Sequence, residues 1–166
     1  MDEIKYCNFL GIRSIYQMQD FTKNMLTKEV NKWDLKIWRQ EMEEKSTLNY
    51  YRQWKKEPIE ENIYDNTYNS VLLYQCRSNT NKLNWRKRFE GGETRCELCG
   101  EEEETVEHIL IKCNSYHNIR VKYNKINHTI KDVLFFNTKN GENANNMRKY
   151  IGEFFIYRKK KLLELR

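Results

Sequence analysis

The sequence predicts a mainly α fold: a helical bundle that carries one small Cys3His zinc-stabilised module. Three observations predict it. Turn formers are scarce, with six Gly and one Pro in 166 residues, while Lys, Glu, Leu and Met, all good helix formers, abound. Apolar residues recur at three- and four-residue steps through most of the chain. Four residues with metal-ligand chemistry, Cys96, Cys99, His108 and Cys113, fall in one short segment.

The elements follow in order. Phe9, Ile12 and Tyr16 are spaced as on a helix running from Ile4 to Met25. A second helix is expected from Lys28 to about Lys45, with Val30, Trp33 and Ile37 on one stripe and Trp38 and Met42 beside it. Ser46 or Thr47 can cap a third, carrying Leu48, Tyr51 and Trp54, and Pro58 ends it because the residue before proline avoids helical backbone. A fourth is expected from Ile59 to Arg77, where Ile63, Tyr64, Tyr68, Val71, Leu72 and Cys76 recur at helical steps. Ile63, Val71 and Leu72 should be buried alongside Trp33 and Trp38, and the Trp and Tyr stripes of residues 30–76 read as core.

Ser78-Asn79-Thr80-Asn81 is a polar break, Leu83 to Phe89 a short basic segment, and Gly91-Gly92 the clearest hinge. Ser115 can cap a helix through Lys125. Ile130 to Phe136 is an apolar run that periodicity leaves unassigned. Residues 137–146 read as a polar loop. A last helix from Ala144 to about Leu165 places Met147, Ile151, Phe154 and Leu162 on one stripe. Any sheet should be small and confined to Arg95–Glu101. Three regions result: a helical region 1–81, a basic segment with the metal module 82–125, and a helical tail 126–166 that packs back on the rest.

The metal motif is C-x2-C-x8-H-x4-C. Two cysteines two residues apart in a tight turn can put both sulfurs on one ion, and Gly100 lets the chain bend beneath them. The second pair sits on or near a helix from Thr105 to Cys113. Five residues separate His108 from Cys113, about 140° around an ideal helix, so the helix must loosen before Cys113. Three thiolates and one imidazole complete a tetrahedral shell with no open position, which makes a single Zn2+ structural rather than catalytic. Metal binding there contributes folding free energy directly. His117 and His128 read as ordinary residues, and Cys7 and Cys76 stand alone. An odd cysteine count with one metal-type spacing points to a reducing, intracellular compartment, nucleus or cytoplasm.

Charge is uneven. The formal net charge is +6; zinc on three thiolates adds −3 and +2, leaving +5. Five basic and two acidic residues lie between Lys82 and Arg95, six acidic and none basic between Glu97 and Glu107, and seven basic and two acidic from Arg148 to Arg166. Lys82, Arg86, Lys87, Arg88 and Arg95, interleaved with Trp85 and Phe89, suit a surface that neutralises phosphates and stacks a base. The competing reading packs Trp85 and Phe89 inward. Arg120 and Lys122 follow the last ligand, and closing the metal loop should bring them toward the first group. Arg158 to Lys161 reads as a nuclear-localisation patch, a nucleic-acid contact or the solvated side of a helix. Glu101 to Glu104 reads as a solvated loop with negative charge near a helix start, pointing away from the basic face. No run approaches the length of a membrane span, and the opening Met1-Asp2-Glu3-Ile4-Lys5 lacks a secretory profile.

Leu83-Asn-Trp-Arg-Lys-Arg-Phe, then Cys96-Glu-Leu-Cys99-Gly-Glu-Glu-Glu-Glu-Thr105-Val-Glu-His108-Ile-Leu-Ile-Lys-Cys113, then Tyr116 and Arg120 resemble the C-terminal CCHC zinc-knuckle region of non-long-terminal-repeat retrotransposon reverse transcriptases, especially insect types. The resemblance is specific from Leu83 to Arg120 and loose elsewhere. It implies a tail that handles RNA or DNA, detached from its polymerase. The Tyr-x-Asp-Asp motif of that polymerase is absent from the sequence, and no Pro-Asp…Asp nuclease pattern follows Cys113. No nucleophile elbow or phosphate loop appears either, so no enzyme is expected. The sequence therefore points to a nucleic-acid-binding module with RNA or DNA as partner. A helical adaptor that binds another protein is the alternative, and a fragment without a selected role the third reading.

Overall fold

The computed structural model describes residues 23–61, 63–125, 128–136 and 141–165. The chain divides into two compact units, Met1–Ser46 and Thr47–Arg166. The helix expected from Ile4 lies outside the described residues as far as residue 22.

The described part of the first unit is one long helix, α1 (Lys23–Glu44). Met42 is buried along it, but Val30, Trp33, Ile37 and Trp38 are only half-buried, where Trp33 and Trp38 were expected in the core.

The second unit is mostly helical, and its described residues hold no strand, only one isolated bridge between Arg95 and Glu103. A 3-10 turn, Ser46–Leu48, leads into α2 (Asn49–Trp54). Neither Ser46 nor Thr47 caps α2: Leu48 holds the N-cap position without a side-chain bond. The helix ends at Trp54, where Lys55 is already extended, four residues before Pro58.

The expected helix 59–77 is shorter than the periodicity implied: α3 runs Tyr68–Arg77. Asn66 has a left-handed φ of 60°, which no α-helix continues through. Thr67 then caps α3 by accepting from the Ser70 N–H. The later start shifts the buried face to Ser70, Leu72, Leu73, Cys76 and Arg77. Ile63 and Leu72 are buried as expected, but Val71 is 45% exposed, and Tyr68 and Tyr74 face solvent.

Three further α-helices follow among the described residues, α4 (His117–Lys122), α5 (Ile130–Leu134) and α6 (Gly141–Glu164), and the basic segment forms a 3-10 helix, Asn84–Glu90. The apolar run is helical from Ile130 to Leu134, where Thr129 and Asp132 form a reciprocal capping box at its start. Residues 141–146, expected in a loop, belong to α6. α3 crosses α6 at Gly152, where a β-carbon would sit 2.2 Å from the Asn69 side-chain oxygen; glycine is what permits that approach.

One core joins these elements. Met147, Tyr150, Ile151 and Phe154 of α6 meet Leu72, Leu73 and Cys76 of α3, Ile130, Val133 and Leu134 of α5, and Val106, Ile109, Leu110 and Tyr116 of the metal segment. Tyr116 stacks on Phe154 with centroids 5.1 Å apart, and Tyr150 meets Phe154 edge-on at 4.8 Å. Each such buried side chain contributes about 1.5–3 kcal/mol by leaving water. The metal segment thus shares its core with the helices instead of standing apart.

Candidate metal centre

The first ligand pair lies on a small hairpin. The Glu104 N–H donates to the Thr94 carbonyl and the Cys96 N–H to the Glu102 carbonyl, at 2.9 and 2.8 Å. Between these bonds the chain turns over Gly100, whose φ of 71° suits glycine and whose N–H donates to the Cys96 carbonyl at 2.7 Å. The turn aims the backbone N–H groups of Cys99 and Leu98 at the Cys96 sulfur. Those donors favour a thiolate, the form that binds metal.

The second pair lies on a helical segment that opens with Thr105, whose hydroxyl oxygen accepts the His108 N–H at 3.0 Å. From His108 to Lys112 the segment is a π turn, closed by the Cys113 N–H donating to the His108 carbonyl at 2.7 Å. Bonding five residues back widens the turn. That widening answers the 140° mismatch: the helix loosens as expected, and His108 and Cys113 come round to the same side. Two side chains secure the turn from outside. The Tyr150 hydroxyl donates to the Leu110 carbonyl at 2.8 Å, and the Arg120 guanidinium donates to the Cys113 carbonyl at 2.6 Å.

The four ligand atoms lie within 4.8 Å of one another. Cys96 Sγ is 3.9 Å from Cys113 Sγ, and Cys99 Sγ is 3.3 Å from His108 Nε2. A tetrahedral ion with bonds of 2.0–2.3 Å needs sulfur–sulfur separations of about 3.8 Å, so the geometry fits. Cys96, His108 and Cys113 are buried and Cys99 is half-buried. The ring orientation also fits: Nε2 faces the sulfurs, while Nδ1 lies 3.2 Å from Glu102 Oε2. A carboxylate on the far nitrogen fixes the tautomer that leaves Nε2 free to ligate. The hydrogen bond from Cys96 lowers the pKa of Cys113, and the same contact raises that of Cys96. Glu102→Ala should therefore weaken metal binding about 10–100-fold, measured by competition with a chromophoric chelator, with the fold otherwise retained.

The acidic run is only in part the solvated loop that was expected: Glu101 and Glu102 are exposed, but Glu103 turns toward the basic segment instead of away from it. Glu102 supports His108, Glu103 pairs with Arg88 at 3.5 Å, and Glu104 is fully buried. Glu104 accepts two bonds from Arg158, at 2.7 and 2.6 Å, and one from the Asn84 N–H at 2.9 Å. Ser115 likewise serves another purpose than capping: its hydroxyl donates to the Leu98 carbonyl at 3.3 Å, tying the two ligand-bearing segments together.

The residues expected to contact nucleic acid divide into two sets. Lys82, Arg86, Lys87, Arg88 and Arg95 are exposed. Arg86 donates to the Thr80 carbonyl, Lys87 meets Glu97 at 3.4 Å, and Arg88 lies over the Trp85 ring at 4.9 Å. Trp85 and Arg120 are buried, Arg120 with only 4% of its surface exposed. Trp85 packs inward because it belongs to the common core, leaving Phe89 as the exposed ring of that segment. Arg120 is taken by the Cys113 carbonyl, and burial lowers its pKa. Lys122 is exposed and pairs with Glu153 of α6 at 2.8 Å. Closing the metal loop thus brings Arg120 to the metal segment instead of to a cationic surface.

The roles of Glu102, Glu104 and Arg158 differ from their sequence readings as a solvated loop and a basic patch. The only signal was position: carboxylates a few residues before a ligating histidine are near enough in the chain to reach it. No family model matches this chain, and neither does any curated protein or solved structure. Among the described residues no helix is long and apolar enough to cross a membrane.

Proposed function

We propose that this chain is a zinc-stabilised nucleic-acid-binding module, related to the tail of a retrotransposon reverse transcriptase and without polymerase or nuclease activity of its own. The observation that carries the reading is the closed Cys3His tetrad with a supported histidine. Soft thiolates and one imidazole in tetrahedral array select zinc among common divalent ions. Four protein ligands leave no position for a substrate water, so the ion organises a surface instead of performing chemistry.

Two features of that surface support nucleic acid as the ligand. The acids at 102–104 are engaged with His108, Arg88 and Arg158, which reduces their repulsion of phosphate. Lys82, Arg86 and Arg95 are exposed without an ion pair among the described residues. The exposed pairs Lys87–Glu97 and Arg88–Glu103 are worth at most about 1 kcal/mol each, so a phosphate can displace them.

The test is binding to single-stranded RNA, duplex DNA and their hybrid across a salt series. Affinity should fall as salt rises, because each neutralised phosphate releases counterions. Replacing Arg86, Lys87 and Arg88 together by alanine should flatten the salt slope by up to about three units and leave the metal content unchanged. Absence of binding to all three at low salt would remove the nucleic-acid reading. A protein-binding role is the second reading, and the apolar groove described next favours it.

A further inference from the structure

A groove of about 550 Å³ runs between α3 and α6. Val71 and Leu72 of α3 and Leu162 and Leu163 of α6 form its walls, with Tyr68 at one end. Tyr68, Val71 and Leu163 are 66, 45 and 63% exposed. Large apolar side chains exposed side by side on two packed helices mark a contact surface. Lys82 and Lys159 line the same groove, no carboxylate does, and neither lysine forms an ion pair among the described residues. Arg158, also in the lining, is already held by Glu104.

We propose that this groove receives an acidic amphipathic helix from a protein partner. α3 has 10 residues, so the groove is about 15 Å long, room for about three turns of a partner helix. Leucine-type side chains spaced one turn apart fill an aliphatic trough, which is how helix-in-groove recognition works. Four aliphatic side chains, Val71, Leu72, Leu162 and Leu163, outnumber the two rings in the lining, Tyr68 and Phe155, so the trough suits a leucine-type stripe better than a run of bases, each of which needs a ring to stack on. Asp or Glu flanking the partner's apolar stripe would meet Lys82 and Lys159, fixing orientation and raising the association rate. The wall is set by the metal hairpin, because Glu104 anchors Arg158 beside the lysines. The proposal does not depend on nucleic-acid binding.

The experiment is selection from a displayed library of random peptides against the metal-loaded full chain. Enriched sequences should carry apolar residues at helical spacing together with Asp or Glu. Val71→Glu should cut their affinity by about tenfold or more, as loss of a central contact does. Lys82→Glu combined with Lys159→Glu should do the same, and peptides whose acids are exchanged for lysine should recover binding to that variant. All these positions are exposed, so metal content and far-ultraviolet dichroism should stay unchanged. No enrichment, or enriched peptides indifferent to both sets of substitutions, overturns the proposal. It also falls if no peptide is enriched while Val71→Glu weakens binding of single-stranded RNA, which assigns the groove to nucleic acid.

Discussion

Cys99→Ser should empty the metal site and open the segment from Thr94 to Tyr116. A hydroxyl is a poor substitute for a thiolate on zinc, so affinity should drop by more than the hundredfold that loss of a supporting residue can cause. The consequence reaches beyond the site. Metal binding to such clusters is worth on the order of 10 kcal/mol in zinc-finger peptides, comparable with the whole stability of a domain. Without it, Cys96, His108 and Cys113 remain buried with no ion to hold them together. Val106, Ile109 and Leu110 of the same segment belong to the common core, so loosening should spread to α6. Elemental analysis should find about one zinc in the parent protein and little in the variant. Hydrogen exchange should rise across residues 94–116 first. Full metal retention in the variant would remove Cys99 from the ligand set.

The tetrad was legible in the sequence because its spacing is local: a turn needs few residues, and cysteine and histidine are rarely grouped by accident. Even its difficulty was legible, since the phase mismatch between His108 and Cys113 demanded a departure from α-helix, and the π turn supplies one. The buried face of α3 was not legible. Periodicity counted Tyr64 in one stripe with Tyr68 and Val71, but the left-handed Asn66 cuts Tyr64 off from the other two, which lie together on the exposed side of α3. Charge was the other obscurity. A sequence shows how many cations lie near a motif, not which of them are engaged. Arg120 and Arg158 look alike in composition to Arg86 and Arg95, yet Arg120 is buried against the Cys113 carbonyl and Arg158 is held by a buried carboxylate, while Arg86 and Arg95 are exposed. Such pairings join positions 54 residues apart, as between Glu104 and Arg158, and no local pattern encodes them.

That long-range pair predicts the largest stability loss away from the metal ligands. Glu104 is fully buried, and Arg158 has 15% of its side chain exposed. Both guanidinium bonds and the Asn84 N–H end on the one carboxylate. Glu104→Ala therefore leaves a mostly desolvated cation and a buried donor without an acceptor. Breaking one side of such a pair costs about 3–5 kcal/mol, whereas Lys87→Ala, which removes only the exposed contact with Glu97, should cost at most about 1 kcal/mol. Denaturant midpoints of the two variants should differ accordingly. A second comparison separates the pair's worth from the penalty of an orphaned charge. Glu104→Met combined with Arg158→Met removes both charges while keeping comparable volume, and should recover much of the loss, because a buried pair stabilises little beyond a well-packed apolar replacement. Glu104 is not a ligand, so zinc content should remain near one per chain in both variants under native conditions. A loss below about 1 kcal/mol in Glu104→Ala would mean that Arg158 finds water once released, and that the clamp between the metal hairpin and α6 is dispensable.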